Sequence, residues 1–394
     1  MRGIYCEYKH FSCSVPIALH DAKITLIAWV YHFGSFQLRI SEALECKPLS
    51  SILPMDDCKN DPTNLIITIF HKEKLDRSYS NGVDPQTSSS DNSFILDIAE
   101  LFTKLPVPNQ PVQSAQLPAL SVEGVTRYTL TVHQPPEIDC STLRHSSLIT
   151  NFEAKHGVEI IFDLSKVTPS GQRPIKLALF DMDSTLINEE VIDELARSIG
   201  ISDAVSAITA RAMNGDIDFA TSLKQRVAML KGVPLTVWED LKKTVTIAEG
   251  ARELIAGLKK RGVYTGVVSG GFTPMAEWLK EQLGLDVAVA NHLLESSPTD
   301  EFPYSHLSGQ LNPNIAIVTP ELKRKTLLEL CVPKSVPLSE TMAVGDGSND
   351  LLMLGIAGLG IAWRAKEKVQ IAAPMRLNGK SLEDLLYLLG PDTK

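Results

Sequence analysis

Ile175-Lys176-Leu177-Ala178-Leu179-Phe180-Asp181-Met182-Asp183-Ser184-Thr185-Leu186 is an apolar run that breaks at once into acidic and hydroxyl residues. The apolar part is short enough for a buried strand, and the two aspartates stand at i and i+2 on the loop that follows it. Apolar runs of the same kind recur at 264–269, 287–290 and 341–345. Between them lie amphipathic segments of helical length at 249–261, 273–283 and 320–331. This alternation is the mark of a doubly wound parallel α/β sheet, in which ligands bind beyond the carboxyl ends of the strands. The stretch 189–248 interrupts it. Apolar positions at Val191, Leu195, Ile199, Val205, Ile208, Met213, Leu223, Val227 and Leu230 read as nearly continuous helix. A helical insertion straight after the first strand forms a cap over the active edge of the sheet.

The polar motifs fall at the strand ends. An Asp-x-Asp pair alone is also an ordinary acidic turn or helix N-cap, but a strand before it and Ser-Thr behind it favour a site. Val267-Val268-Ser269-Gly270-Gly271-Phe272-Thr273 offers a hydroxyl and free backbone N–H groups at a helix start, where an anion is well received. The same glycines also suit a tight strand-to-helix turn. Lys325, in Leu322-Lys323-Arg324-Lys325-Thr326-Leu327, reads alone as a solvated charge. Val344-Gly345-Asp346-Gly347-Ser348-Asn349-Asp350 carries oxygen donors that suit a hard cation such as magnesium. Taken together, these motifs supply a nucleophile, an acid, phosphate donors and a metal site.

Composition narrows the partners. The chain has 394 residues, 44% of them hydrophobic and 22% charged, which is ordinary for a soluble protein of two or three domains. Net charge is -9 and there is no run of basic residues, which argues against nucleic acid and anionic membrane surfaces. The apolar stretch 24–30 is too short to span a membrane and reads as a buried strand. The cysteines, Cys6, Cys13, Cys46, Cys58, Cys140 and Cys331, are scattered without zinc spacing, as expected of reduced thiols in a cytoplasmic protein.

From 175 to 375 the motifs resemble the haloacid dehalogenase superfamily. The finer likeness is to its phosphoserine phosphatase branch, through Asp181-Met-Asp-Ser-Thr-Leu-Ile-Asn-Glu-Glu190, Ala212-Met213-Asn-Gly-Asp-Ile-Asp-Phe219, Ser222-Leu-Lys-Gln-Arg226-Val and Ser269-Gly-Gly-Phe. The resemblance implies an HAD-like, Rossmann-like core at 175–190 and 249–394 with a helical cap at 191–248. It implies a magnesium-dependent phosphoric monoester hydrolase that releases L-serine from O-phospho-L-serine, the last step of serine biosynthesis. Asp181 is then the nucleophile and Asp183 the general acid and base. Magnesium is bound by Asp181, the main-chain carbonyl of Asp183, and Asp346. Substrate is held by Glu190, Met213, Phe219, Arg226, Ser269, Gly270, Lys325 and Asn349, with Asp350 behind them. The long segment 294–320 leaves both Lys323 and Lys325 in range of the family's lysine, and the Thr-Leu-Leu-Glu-Leu that follows favours Lys325.

The N-terminal part reads as α+β, with β-like runs at 65–70, 127–132 and 158–162 and helical segments at 93–104 and 141–156. We divide it into an α+β region at 1–75, a loop-rich linker with one helix at 76–119, and a module at 120–170. The last resembles the ACT-like modules that precede some phosphoserine phosphatases; such modules bind amino acids or mediate homodimers. The rival readings are a phosphatase or phosphotransferase for another small phosphomonoester, an amino-acid sensor on a silent scaffold, and a protein phosphatase. The cap disfavours the last, and the full charge cluster disfavours the sensor.

Overall fold

Short apolar strands buried on both faces build the parallel sheet. The computed structural model describes residues 3–8, 11–15, 39–41, 63–71, 97, 101, 120–122, 125–132, 140–165, 172–213 and 215–390. They divide into two compact units, Met1–Asp61 and Pro62–Lys394. In the first, β1 (Gly3–Tyr8), β2 (Phe11–Val15) and β3 (Arg39–Ser41) form an antiparallel sheet in the order β2-β1-β3. The strand expected at 24–30 and, apart from Asp97 and Leu101, the linker at 76–119 lie outside the described residues.

The second unit opens with an antiparallel sheet of β4 (Thr63–His71), β5 (Leu120–Val122), β6 (Val125–Val132) and β7 (Val158–Ser165), in the order β5-β6-β4-β7. Helices α1 (Cys140–His145) and α2 (Ser147–His156) separate β6 from β7. Asp97 and Leu101, between β4 and β5, are also helical. This is the order of a split βαβ module. It corrects the division made above: β4 is a central strand of the sheet, so the module begins near residue 63 rather than at 120.

Six parallel strands follow: β8 (Leu177–Phe180), β9 (Tyr264–Phe272), β10 (Val287–Asn291), β13 (Thr341–Gly345), β14 (Leu359–Trp363) and β15 (Met375–Leu377). Their order is β10-β9-β8-β13-β14-β15, so the chain reverses direction between β8 and β13. Along β8, Ala178 and Phe180 join one core and Leu177 and Leu179 the other. The first core takes α7 (Ala251–Lys260) and α8 (Thr273–Leu283). The second takes α9 (Pro320–Cys331), α10 (Leu351–Ile356) and α11 (Glu367–Ala372). Burial on both faces explains why these strands read as unbroken apolar runs.

The interruption at 189–248 is four helices rather than one continuous helix: α3 (Val191–Ser198), α4 (Ser202–Met213), α5 (Phe219–Ala228) and α6 (Val237–Thr244). Asp218 starts α5 by accepting a 2.8 Å hydrogen bond from the Thr221 N–H. The polar stretch 294–320 is not all loop. It contains the antiparallel hairpin of β11 (Leu293–Ser296) and β12 (His306–Leu311), which binds the cap through Gly232 N–H to Leu307 O at 2.9 Å and Leu235 N–H to Ser305 O at 3.1 Å.

The split βαβ module sits on the β15 edge of the catalytic sheet through polar contacts. Arg144 donates to the carbonyls of Ile371, Ala373 and Pro374 at 3.1, 3.0 and 3.1 Å. Arg376 pairs with Glu153 at 2.7 Å.

Candidate active site

The point where strand order reverses is where an open α/β sheet opens a crevice, and the acidic motifs converge there. Asp181 follows β8 directly, and its N–H donates to Val344 O on β13 at 2.9 Å. Its side chain accepts from the Met182 N–H at 2.8 Å. The turn Met182–Leu186 is sharp: Asp183 is extended, and Ser184 has a φ of 54°, in the left-handed region that non-glycine residues seldom enter. This strained turn brings both aspartates into one pocket and sends the Ser184 hydroxyl to Glu190 Oε1 at 2.8 Å.

Across the crevice, carboxylate oxygens of Asp181, Asp346 and Asp350 lie within 4.8 Å of one another. Thr185 Oγ1 donates to Asp346 Oδ1 at 3.4 Å. Asp350 has both oxygens engaged, Oδ1 by Lys323 at 2.7 Å and Oδ2 by the Gly347 N–H at 3.0 Å. Gly345 is obligatory beside it, because a Cβ there would stand 2.4 Å from Asp350 Cγ.

The site lysine is Lys323, not Lys325. Lys323 Nζ sits 2.7 Å from both Asp181 Oδ1 and Asp350 Oδ1, with its side chain 0% exposed. Lys325 is 64% exposed and pairs with Glu329 at 3.3 Å on the outer face of α9. Two residues along a helix differ by about 200° in direction, so the two lysines cannot share a face. Lys323 belongs to the buried set Lys323, Thr326, Leu327 and Cys331, spaced i, i+3, i+4 and i+8. That periodicity was the signal in the sequence that identifies it.

The Ser269-Gly270-Gly271 turn forms the far wall. Ser269 is buried, and its Oγ accepts from the Gly271 N–H at 2.8 Å. A Cβ at Gly271 would meet Met182 Cε at 2.8 Å, Ser269 Oγ at 3.0 Å and Asp183 Oδ2 at 3.1 Å. A Cβ at Gly270 would meet the Phe219 ring at 3.1 Å and Asn349 Nδ2 at 3.9 Å. Both glycines are thus closely approached by their neighbours, and Asp183, Phe219 and Asn349 border this turn. Met213 ends α4, and its side chain lies outside the described residues.

Glu190 and Arg226 come from the cap. Arg226 Nε is buried with no hydrogen-bond partner among the described residues. Burial holds its guanidinium below the usual value, against the opposing pull of Asp193, Glu190 and Asp183. Asp193, one turn beyond Glu190 on α3, escaped the sequence reading.

Charge in the pocket is unbalanced. Burial, then the Glu190 and Asp181 carboxylates, push Asp183 well above the ordinary carboxylate range, and its Oδ1 has no hydrogen-bond partner among the described residues. Burial and the neighbouring Asp181 and Glu190 raise Asp346 to about 7. Burial of Lys323 works against its charge, but Asp181 and Asp350 outweigh that and raise it. One lysine thus faces several crowded carboxylates. Asp181 and Asp346 hold hard oxygen donors in the crevice, and a divalent cation fits this donor set by charge and chemistry.

Residues 175–358 match the family model described as haloacid dehalogenase-like hydrolase. Over 229 residues the chain is 46% identical to a probable phosphoserine phosphatase of Schizosaccharomyces pombe, covering 58% of this chain and 74% of that one. It is likewise 46% identical over 217 residues to the phosphoserine phosphatase of Saccharomyces cerevisiae, covering 55% of this chain and 67% of that one. Among solved structures, a HAD family hydrolase of Salmonella enterica serovar Typhi superposes with a TM-score of 0.63 at 27% identity, over 84% of this chain and 99% of that one. The chain belongs to the haloacid dehalogenase-like hydrolases, in the group that includes these phosphoserine phosphatases.

Proposed function

We propose that this chain hydrolyses O-phospho-L-serine to L-serine and phosphate through a phosphoaspartate on Asp181, and that its cation is magnesium. The observation that carries the reading is the pairing of roles in one pocket: Asp181 held by Lys323, Asp183 with a raised proton affinity beside the Ser269-Gly270-Gly271 turn, and Arg226 in the cap with its buried Nε unpartnered among the described residues. The relatives named phosphoserine phosphatase point the same way.

A phosphomonoester dianion repels a carboxylate nucleophile, so positive charge must come first. Asp181, Asp346 and the Asp183 carbonyl would hold magnesium, which would supply electrostatic stabilisation of the phosphoryl oxygens when bound. Lys323 neutralises Asp181 and, with the Ser269 hydroxyl and nearby backbone N–H groups, receives phosphoryl oxygens. Asp181 attacks phosphorus as the phosphorus–serine oxygen bond breaks. The departing alkoxide takes its proton from Asp183, whose affinity for that proton is raised by burial and by the Glu190 and Asp181 carboxylates. Asp183, now ionised, draws a proton from water, and the hydroxide displaces Asp181 from phosphorus. Asp350 holds Lys323 by its Oδ1 and the Gly347 N–H by its Oδ2.

Specificity comes from the cap. Arg226 grips the serine carboxylate, Glu190 takes the ammonium group, and Phe219 excludes water beside Gly270. Among the described residues no helix is long and apolar enough to cross a membrane.

Phosphate release should be measured with phosphoserine, phosphothreonine, phosphoethanolamine and sugar phosphates, with and without magnesium. Preference for phosphoserine that requires magnesium supports the assignment; equal turnover of the sugar phosphates contradicts it.

A further inference from the structure

Asn291 lies outside every motif discussed so far, yet its side chain ties two walls of the site together. It ends β10, is 1% exposed, and stands beside Phe272 in the parallel register with β9. Its Nδ2 donates to Gly270 O at 2.8 Å, and its Oδ1 accepts from the Val318 N–H at 2.9 Å. The orientation of this amide is unambiguous, because a carbonyl only accepts and a backbone N–H only donates. Thr273 Oγ1 donates to the Asn291 carbonyl at 3.1 Å, which pins the main chain as well.

The contact with Gly270 O has a directional consequence. The peptide between Gly270 and Gly271 is trans and planar, so its C=O and N–H point in opposite directions. Holding the carbonyl toward Asn291 aims the Gly271 N–H the other way, where it meets Ser269 Oγ at 2.8 Å. Both glycines lack the side chain that would otherwise resist rotation of this peptide. Without the tether, the peptide is free to turn its carbonyl oxygen toward a bound anion. The Val318 contact acts on the opposite wall. Val318 precedes Thr319, the N-cap of α9, whose carbonyl accepts from the Lys323 N–H at 2.9 Å.

We propose that Asn291 is a positioning residue, which holds the Gly271 N–H and Ser269 hydroxyl, and the start of the Lys323 helix, at the spacing a phosphoryl group requires. This rests on the phosphate-binding reading of the turn.

The test uses the full chain with magnesium and compares Asn291→Ala with the near-isosteric Asn291→Asp. Asn291→Asp keeps an acceptor for Val318 but sets an oxygen against Gly270 O. Inorganic phosphate binding is measured by calorimetry, L-serine by inhibition of turnover, and folding by thermal denaturation. Loss of an anion donor of this kind costs about 10²-fold or more. Phosphate affinity and kcat/KM should each fall about 10²-fold in both variants while the L-serine inhibition constant changes less than about threefold. A purely structural role would weaken phosphate and serine together, in step with lost thermal stability, and that result overturns the proposal. Wild-type phosphate affinity in folded Asn291→Asp overturns it as well. Calorimetry with phosphate does not depend on the substrate, so absent phosphoserine turnover in the wild type would count against the function and leave the phosphate and folding arms of this test intact.

Discussion

Replacing Lys323 with methionine should damage both stability and turnover, whereas the same change at Lys325 should be silent. Lys323 Nζ is 2.7 Å from two carboxylates, and the side chains of all three residues are between 0% and 6% exposed. Removing one member of a buried ionic group costs about 3–5 kcal/mol, because the partners are left charged and dry. At roughly 2–4 °C per kcal/mol, that is a fall in Tm on the order of 10 °C for the metal-free protein. The deficit should grow as pH rises. Burial, then Asp181, already raise Asp350 to about 8 against the pull of Lys323, and without the lysine its carboxyl binds the proton more tightly still, so the stability that proton confers is present at low pH and lost as pH rises. Lys325, 64% exposed and paired with Glu329, should shift stability by no more than about 0.5 kcal/mol. Denaturation at pH 5 and pH 8, with phosphate release on the same samples, gives both readings. Activity lost in Lys325→Met and kept in Lys323→Met would refute the assignment of the site lysine.

Arg226→Ala should raise KM for phosphoserine about tenfold or more and leave phosphoethanolamine, which has no carboxylate, nearly unchanged; steady-state kinetics on the two substrates checks this. Gly271→Ala places a Cβ 2.8 Å from Met182 Cε and 3.1 Å from Asp183 Oδ2, so kcat should fall at least tenfold in a protein that still folds, as assay and circular dichroism together would reveal. Asp384 is raised to about 7 by burial, with Glu383 and Glu249 adding to it. Its folded form holds a proton that the unfolded chain releases near pH 4, so it contributes stability at low pH that is lost as pH rises through about 7, with a slope of at most about 1.4 kcal/mol per pH unit. Asp384→Asn should flatten that slope in urea titrations across this range.

The catalytic sheet was readable because its strands are buried on both faces and each ends in polar residues, as at Phe180-Asp181 and Gly345-Asp346. Local order carries such a pattern. Lys323 was obscured because the Thr-Leu-Leu-Glu-Leu that follows favours Lys325, whereas Thr326 and Leu327, three and four residues on from Lys323, mark its face of the helix as the buried one. The module boundary near residue 63 was missed for a different reason. Thr63–His71 pairs with Val125–Val132 and Val158–Ser165, and no local signal reports a partner so far along the chain. The β11–β12 hairpin was hidden by polar residues such as Glu295 and Gln310, which leave little apolar alternation. Asn291 carries no motif at all; its importance lies in two backbone groups that only folding brings beside it.

The central claim is that Asp181 becomes covalently phosphorylated. Brief reaction with phosphoserine carrying labelled phosphate, followed by acid quench and peptide mass spectrometry, tests it directly. The account predicts a phosphoryl group on Asp181 in the wild type and none in Asp181→Asn. Label retained in Asp181→Asn, or turnover in the wild type with no phosphorylated peptide, would contradict it.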